Sequence, residues 1–185
     1  MSQSDIPPES FQQHRKESTL GLKDRIRGLL QEFYSVDERQ VVNVEQPDSG
    51  RYDTAELATL TTLDFNGIDW LVDTAETCFG VGERIRTGDR DFSLRVHNGH
   101  RKSEHTRIPK ARLLGGIYPR HYLVARRKGQ ELQSAYLVDM DELTDAIADG
   151  RLDGRRVSFD DGTTTDFYDF RDLAFYDCIV EVFDL

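Results

Sequence analysis

The chain reads as an α/β protein of the α+β kind, with a mixed, largely antiparallel central β-sheet flanked by helices. Three observations predict this. Leu22, Ile26, Leu29, Leu30 and Phe33 fall on one stripe at helical spacing. Two apolar runs, GIDWLVD (67–73) and FGVGERIRT (79–87), are joined by the short TAET, which is the pattern of an antiparallel hairpin. Later, HYLVARR and SAYLVDM read as strands, and the helical DELTDAIADG follows them. Helix, strands, helix, strand is the order of a sheet covered by helices.

Residues 1–16 are polar and are expected to be disordered, with a single domain over 17–185 that carries an acidic C-terminal extension at about 150–185. The segment ESTLGLKDRIRGLLQEFYS is the first helix. QVVNVEQ is a short strand and PDSGRYD a turn-rich loop. TAELATLTTLDF fits helix and strand equally. DFSLRVH and KSEHTRI flank Asn98-Gly99, which predicts a second hairpin. PKARLLGGIY is a short helix opened by Pro109. The tail after Arg155 holds a hairpin and a final strand.

Charge bounds the function. The 185 residues carry 24 Lys and Arg against 34 Asp and Glu, a net −10. The acids are mostly Asp and the bases mostly Arg, the balance that keeps a protein soluble in a salt-rich, halophilic cytoplasm. The charge is segmented. Counting along the sequence, residues 84–128 hold 13 bases and 3 acids, or +10, and the flanking segments sum to −9 and −11. A concentrated cationic block is the footprint of a phosphate-binding surface. Pairing of the block with acidic neighbours inside the fold explains it equally well. No apolar run approaches a membrane span and the N-terminus has no signal-peptide core, so a cytoplasmic protein without a membrane partner is expected. Cys78 and Cys178 are isolated and suggest neither a metal site nor a disulfide framework.

The 67–87 hairpin puts acid into two otherwise apolar strands. Alternation places Asp69, Leu71 and Asp73 on one face of the first strand. On the second, Val81, Glu83 and Ile85 share one face, and Gly82, Arg84 and Arg86 the other. Carboxylates on neighbouring strands can coordinate a hard cation such as Mg²⁺. Such an ion activates water and neutralises charge at a scissile phosphate. A buried Asp–Arg pair is the alternative, since an acid in an apolar strand is costly unless paired.

LDFNGID, the hairpin, GVGERIR, DFSLR and RIPKARLLGGIYPRHYLV together resemble the PD-(D/E)XK, restriction-endonuclease-like nuclease superfamily, nearest its small phage and mobile-element members. The resemblance spans roughly residues 17–145. It implies a restriction-endonuclease-like core and metal-dependent hydrolysis of DNA phosphodiester bonds with Mg²⁺ or Mn²⁺. By position, Asp69 matches the metal-binding Asp, Arg84 falls where the catalytic Lys stands, and Glu32 matches an extra helical acid. The motif departs at Gly82, where a second metal-binding residue belongs. Glu83 would serve as catalytic and metal-binding acid if the Gly-Val-Gly run bulged and re-aimed it. Arg in place of Lys suits phosphate clamping better than proton transfer.

Arg107, Lys110 and Arg112 surround the predicted start of the helix after the second hairpin, and with Arg86 they are the candidate DNA contacts. His97, His100 and His105 lie on the predicted polar hairpin and are expected to be solvated rather than to bind zinc. Asp64 is a candidate cap for the turn at Asn66-Gly67. Core packing accounts for the aromatic residues of the tail, with a homodimer interface as the other use. Three functions follow. The first is a metal-dependent DNA endonuclease, intact or degenerate. The second is a non-catalytic nucleic-acid-binding or assembly protein on the same scaffold. The third is an acidic protein-interaction module.

Overall fold

The computed structural model describes residues 8–45, 53–88, 91–97, 103–129, 131–160 and 162–185, with the side chains of 8–20, 54, 65 and 97 left aside. Helix α1 (Pro8–Tyr34) begins well before the expected Glu17, so residues 8–16 are helical rather than disordered. The expectation for residues 1–7 lies outside the described residues. The predicted stripe is the buried face: Leu22, Ile26, Leu29 and Leu30 pack against Trp70, Val81, Leu123 and Leu137 of the sheet.

After a 3₁₀ turn, strand β1 (Val41–Asn43) leads to helix α2 (Thr54–Phe65), which settles the ambiguous segment. Asp53 and Glu56 start α2 with a reciprocal capping box. Strands β2 (Trp70–Asp73) and β3 (Cys78–Arg86) form the predicted hairpin. Next come β4 (Phe92–His97), α3 (Glu104–Leu113), β5 (Pro119–Lys128), β6 (Glu131–Asp139) and α4 (Met140–Ala148). The chain continues through β7 (Arg155–Ser158), β8 (Thr164–Tyr168), α5 (Phe170–Phe175) and β9 (Ile179–Asp184).

The larger sheet has the order β1-β2-β3-β5-β6-β9, antiparallel except for the β3–β5 pair. The parallel pair needs a crossover, and the chain from β4 through α3 supplies it. A smaller sheet, β4-β8-β7, covers part of the opposite face from α1. Phe92, Leu94, Ile108, Tyr122, Tyr168 and Leu173 fill the space between. The acidic extension is built into both sheets, with β7 and β8 in the smaller and β9 in the larger.

The second predicted hairpin does not form. β4 pairs with β8, not with the segment after Asn98-Gly99, and residues 98–102 are outside the description. Most of KSEHTRI is the start of α3, so Pro109 lies inside that helix rather than opening it. The reason is local chemistry. The Glu104 carboxylate is drawn to the Arg84 guanidinium and to the Arg95 backbone N–H, and Ile108 one turn later is buried. These contacts outweigh the one hydrogen bond that a proline forfeits. α3 stops in a Schellman arrangement: Gly115 takes φ +64°, and the Gly116 N–H donates to the Ala111 carbonyl at 2.7 Å.

Candidate metal centre

The β2–β3 register decides where each hairpin side chain goes. Trp70 faces Val81 across the ladder and the pairing runs without interruption from there to Asp73–Cys78. The Gly-Val-Gly run does not bulge, so the condition for re-aiming Glu83 is not met. The irregularity opposite Gly80 and Val81 lies in β5, which carries the extra residue Arg120. Glu83 therefore keeps the regular alternation and points at α1. Its two carboxylate oxygens each accept from Lys23 Nζ at 3.0 Å, and one accepts from Trp70 Nε1 at 2.8 Å. The Glu83 and Lys23 side chains are only 7% and 8% exposed, so this is a buried ion pair.

Gly82 has a physical reason to be glycine. A Cβ there would lie 2.2 Å from the Tyr122 ring, far inside van der Waals contact. Tyr122 is fully buried, and the Arg84 guanidinium lies over its ring at 4.7 Å. The space that a second acid at this position would need is filled by an aromatic side chain. Gly82→Asp is expected to cost at least about 2–3 kcal/mol through overpacking, read as a lowered urea midpoint. A variant as stable as the wild type would mean that Tyr122 moves aside.

Asp69 sits one residue before β2, and its partners come from elsewhere. Glu45, just after β1, and Asp64, in the last turn of α2, each present a carboxylate oxygen to it, all within 4.8 Å of one another. The Asp69 carboxylate is held from behind by the Glu83 backbone N–H at 2.5 Å. Its pKa is pushed up to about 7 by burial, and the nearby Glu83 carboxylate adds to the shift; Arg84, the Glu83 N–H and Lys23 oppose it. Lys23 Nζ also reaches Glu45 at 3.0 Å, so it joins the exposed acid cluster to the buried Glu83. Its own pKa is raised: burial works against the ammonium, and Glu83 and Glu45 more than offset that.

The donor set fits a hard divalent cation. All three groups are carboxylates, and oxygens bound to one ion at about 2.0–2.6 Å span up to about 5 Å. Sequence reasoning placed Glu83 in this site with Asp69. The structure instead brings Glu45 and Asp64 to Asp69. Asp64 was visible as an acid five residues upstream. Glu45 went unnoticed, and its one signal was its place at the end of a short strand. Glu32 is exposed on α1, nine residues from Lys23, which is half a turn around and about 13 Å along the helix.

The cationic block divides. Arg84 donates to Glu104 at 2.5 Å; burial opposes its charge, but Tyr122, Glu104 and Asp69 hold its pKa above the ordinary range. Glu104 is held below its ordinary value because Arg84 and the Arg95 N–H outweigh burial. Arg86 is half-buried between the sheets, bonded to Ser93 Oγ and 5.8 Å from the Phe167 ring centre. Arg112 is in the last turn of α3 and pairs with Asp145 through both terminal nitrogens, and with Asp141. Arg107 lies against the chain at Gly67, where an added Cβ would meet its guanidinium at 2.8 Å. Lys110 is exposed in the last turn of α3. Internal pairing thus absorbs Arg84 and Arg112. His105 bonds Tyr168 Oη at 2.8 Å and lies 3.2 Å from Asp166, within the fold rather than on a solvated hairpin.

No family model matches this chain, and neither a curated protein nor a solved structure matches it. Among the described residues no helix is long and apolar enough to cross a membrane.

Proposed function

We propose that the chain is a metal-dependent DNA endonuclease of the restriction-endonuclease-like kind, with an active site rearranged around Asp69. The observation that carries this reading is the convergence of Glu45, Asp64 and Asp69 within 4.8 Å beside a buried lysine. In this reading the three carboxylates hold Mg²⁺ or Mn²⁺. The bound cation would neutralise charge at the scissile phosphate and lower the pKa of a coordinated water. The Glu83 N–H fixes the rotamer of Asp69, and Lys23 fixes Glu45. Glu83 is a positioning residue that keeps Lys23 charged and in place. Arg84, bound to Glu104, shapes the wall between β3 and α3 and supports no proton transfer.

Plasmid DNA incubated with Mg²⁺ or Mn²⁺ tests the reading. The wild type is expected to nick or linearise it, and Asp69→Asn is expected to lose at least about 100-fold in rate, the scale of losing a key electrostatic group. Equal cleavage by the variant rejects the site. A second reading, a non-catalytic DNA-binding protein on the same scaffold, draws on the locked Arg84 at the family's lysine position. It predicts salt-sensitive DNA binding without cleavage by either protein.

A further inference from the structure

Strand β9 closes one side of the larger sheet, and among the described residues no strand pairs with its outer edge. The opposite edge, β1, is three residues long, whereas β9 has six. The Leu185 N–H donates inward to the Gln133 carbonyl. The ladder then matches Asp184, Phe183, Val182 and Glu181 to Ser134, Ala135, Tyr136 and Leu137. Inward and outward groups alternate along an antiparallel strand, so Val182 and Asp184 turn their N–H and C=O groups outward. One of these groups is held within the chain: the Val182 N–H donates to Glu181 Oε1 at 3.2 Å. The apolar side chains here are open as well, with Val180, Val182 and Leu185 at 42%, 42% and 55% exposed.

We infer that β9 is a self-association edge, closed by the Glu181 carboxylate, to which a second copy of this chain adds when salt screens its acids. The inference does not depend on the chemistry at Asp69. A two-fold axis at Phe183 makes the strand complementary to itself. Val182 then exchanges both backbone bonds with Asp184 of the second copy, and its N–H passes from Glu181 to that carbonyl. In this register Phe183 meets Phe183, Glu181 faces Leu185 and Asp184 faces Val182, so no acid lies directly opposite an acid. The nearest like charges are the two Asp184 residues, diagonal neighbours about 7–8 Å apart. The Debye length is about 10 Å at 0.1 M salt, which leaves their repulsion in place, and about 3 Å at 1 M, which removes it. An acid-bearing edge also attracts a basic strand, but salt would release that partner. The Asp-rich, Arg-over-Lys composition suits a salt-rich solvent, where backbone bonds and apolar pairs persist and charge attraction does not.

Sedimentation equilibrium of the full chain in KCl, at about 0.1 M and about 2 M, tests this. The wild type is expected to be monomeric at low salt and to associate at least about tenfold more tightly at high salt. Glu181→Val frees the Val182 N–H and removes a charge, so it is expected to dimerise at low salt. Val182→Pro deletes the outward N–H and leaves the bonds to β6 in place, as proline does on an edge strand. It is expected to stay monomeric at both salts with little change in melting temperature. Amide hydrogen exchange of the wild type gives a readout that needs no variant. The Val182 and Asp184 amides should slow at least about tenfold at high salt, and only at protein concentrations where the dimer forms. A wild type that stays monomeric at high salt overturns the inference, and so do unchanged exchange rates at these two amides. Association that survives Val182→Pro belongs to another surface and overturns it too. The pairing uses the same edge of both copies and closes at two, so open-ended growth of the assembly also counts against it.

Discussion

Lys23→Met is expected to remove about 3–5 kcal/mol of stability, the usual cost of stripping one partner from a buried ion pair. Glu83 would keep Trp70 Nε1 as a donor but lose the ammonium that contacts both its oxygens. The methionine stem refills most of the volume, so the loss reports charge rather than a cavity. Glu83→Gln added to Lys23→Met should recover part of the loss, because a neutral amide still accepts from Trp70 and is cheaper to bury. Urea unfolding of the two single variants and the double variant, read as a double-mutant cycle, measures the coupling. A loss below about 1 kcal/mol for Lys23→Met would show that Glu83 is solvated.

The second large effect concerns Asp69 and has the opposite sign. Its folded-state pKa of about 7 lies above the ordinary 3.8, so the folded protein holds a proton that the unfolded chain releases. The contribution of Asp69 to stability is therefore fully present below about pH 4, falls as pH rises toward 7, and is flat above that. The full swing from this group is up to about 4 kcal/mol. Asp69→Asn keeps an acceptor for the Glu83 N–H and removes the charge. It is expected to make the metal-free protein about 1–3 kcal/mol more stable at pH 8 and to flatten the decline between pH 4 and 7. Mg²⁺ or Mn²⁺ should raise the melting temperature of the wild type at pH 8 and leave the variant unchanged, since a ligand that binds only the folded state stabilises it by mass action. A variant less stable than the wild type at pH 8, with no response of the wild type to either ion, would mean that the carboxylate serves only the fold.

Most of the architecture was legible. The stripe on α1, the β2–β3 hairpin and the β5–β6 pair all follow from periodicity, because each buries one face over several residues. What failed was non-local. Asn98-Gly99 is a strong local turn signal, yet β4 buries Phe92 and Leu94 by pairing with β8 about 70 residues later. The site was half legible. Asp69 stood out as an acid in an apolar strand, and alternation put Glu83 on the face opposite Arg84, which the structure shows to be the face that meets α1. The alternation of β2 did not extend upstream, because the Asp69 N–H donates to the carbonyl of Val81, which already faces Trp70, and Ile68 packs under α2. Glu45 could not be found from spacing, since its place beside Asp69 depends on how β1 lies against β2.

The pairing of β4 with β8 also bears on how quickly the molecule assembles. The meander β1–β2–β3 and the β5–β6 hairpin close short loops. β4 has no neighbour in sequence to zip against and must wait until β5, β6 and α4 are behind it. Closing so long a loop delays its reward until late, which places the small sheet among the slow steps of folding.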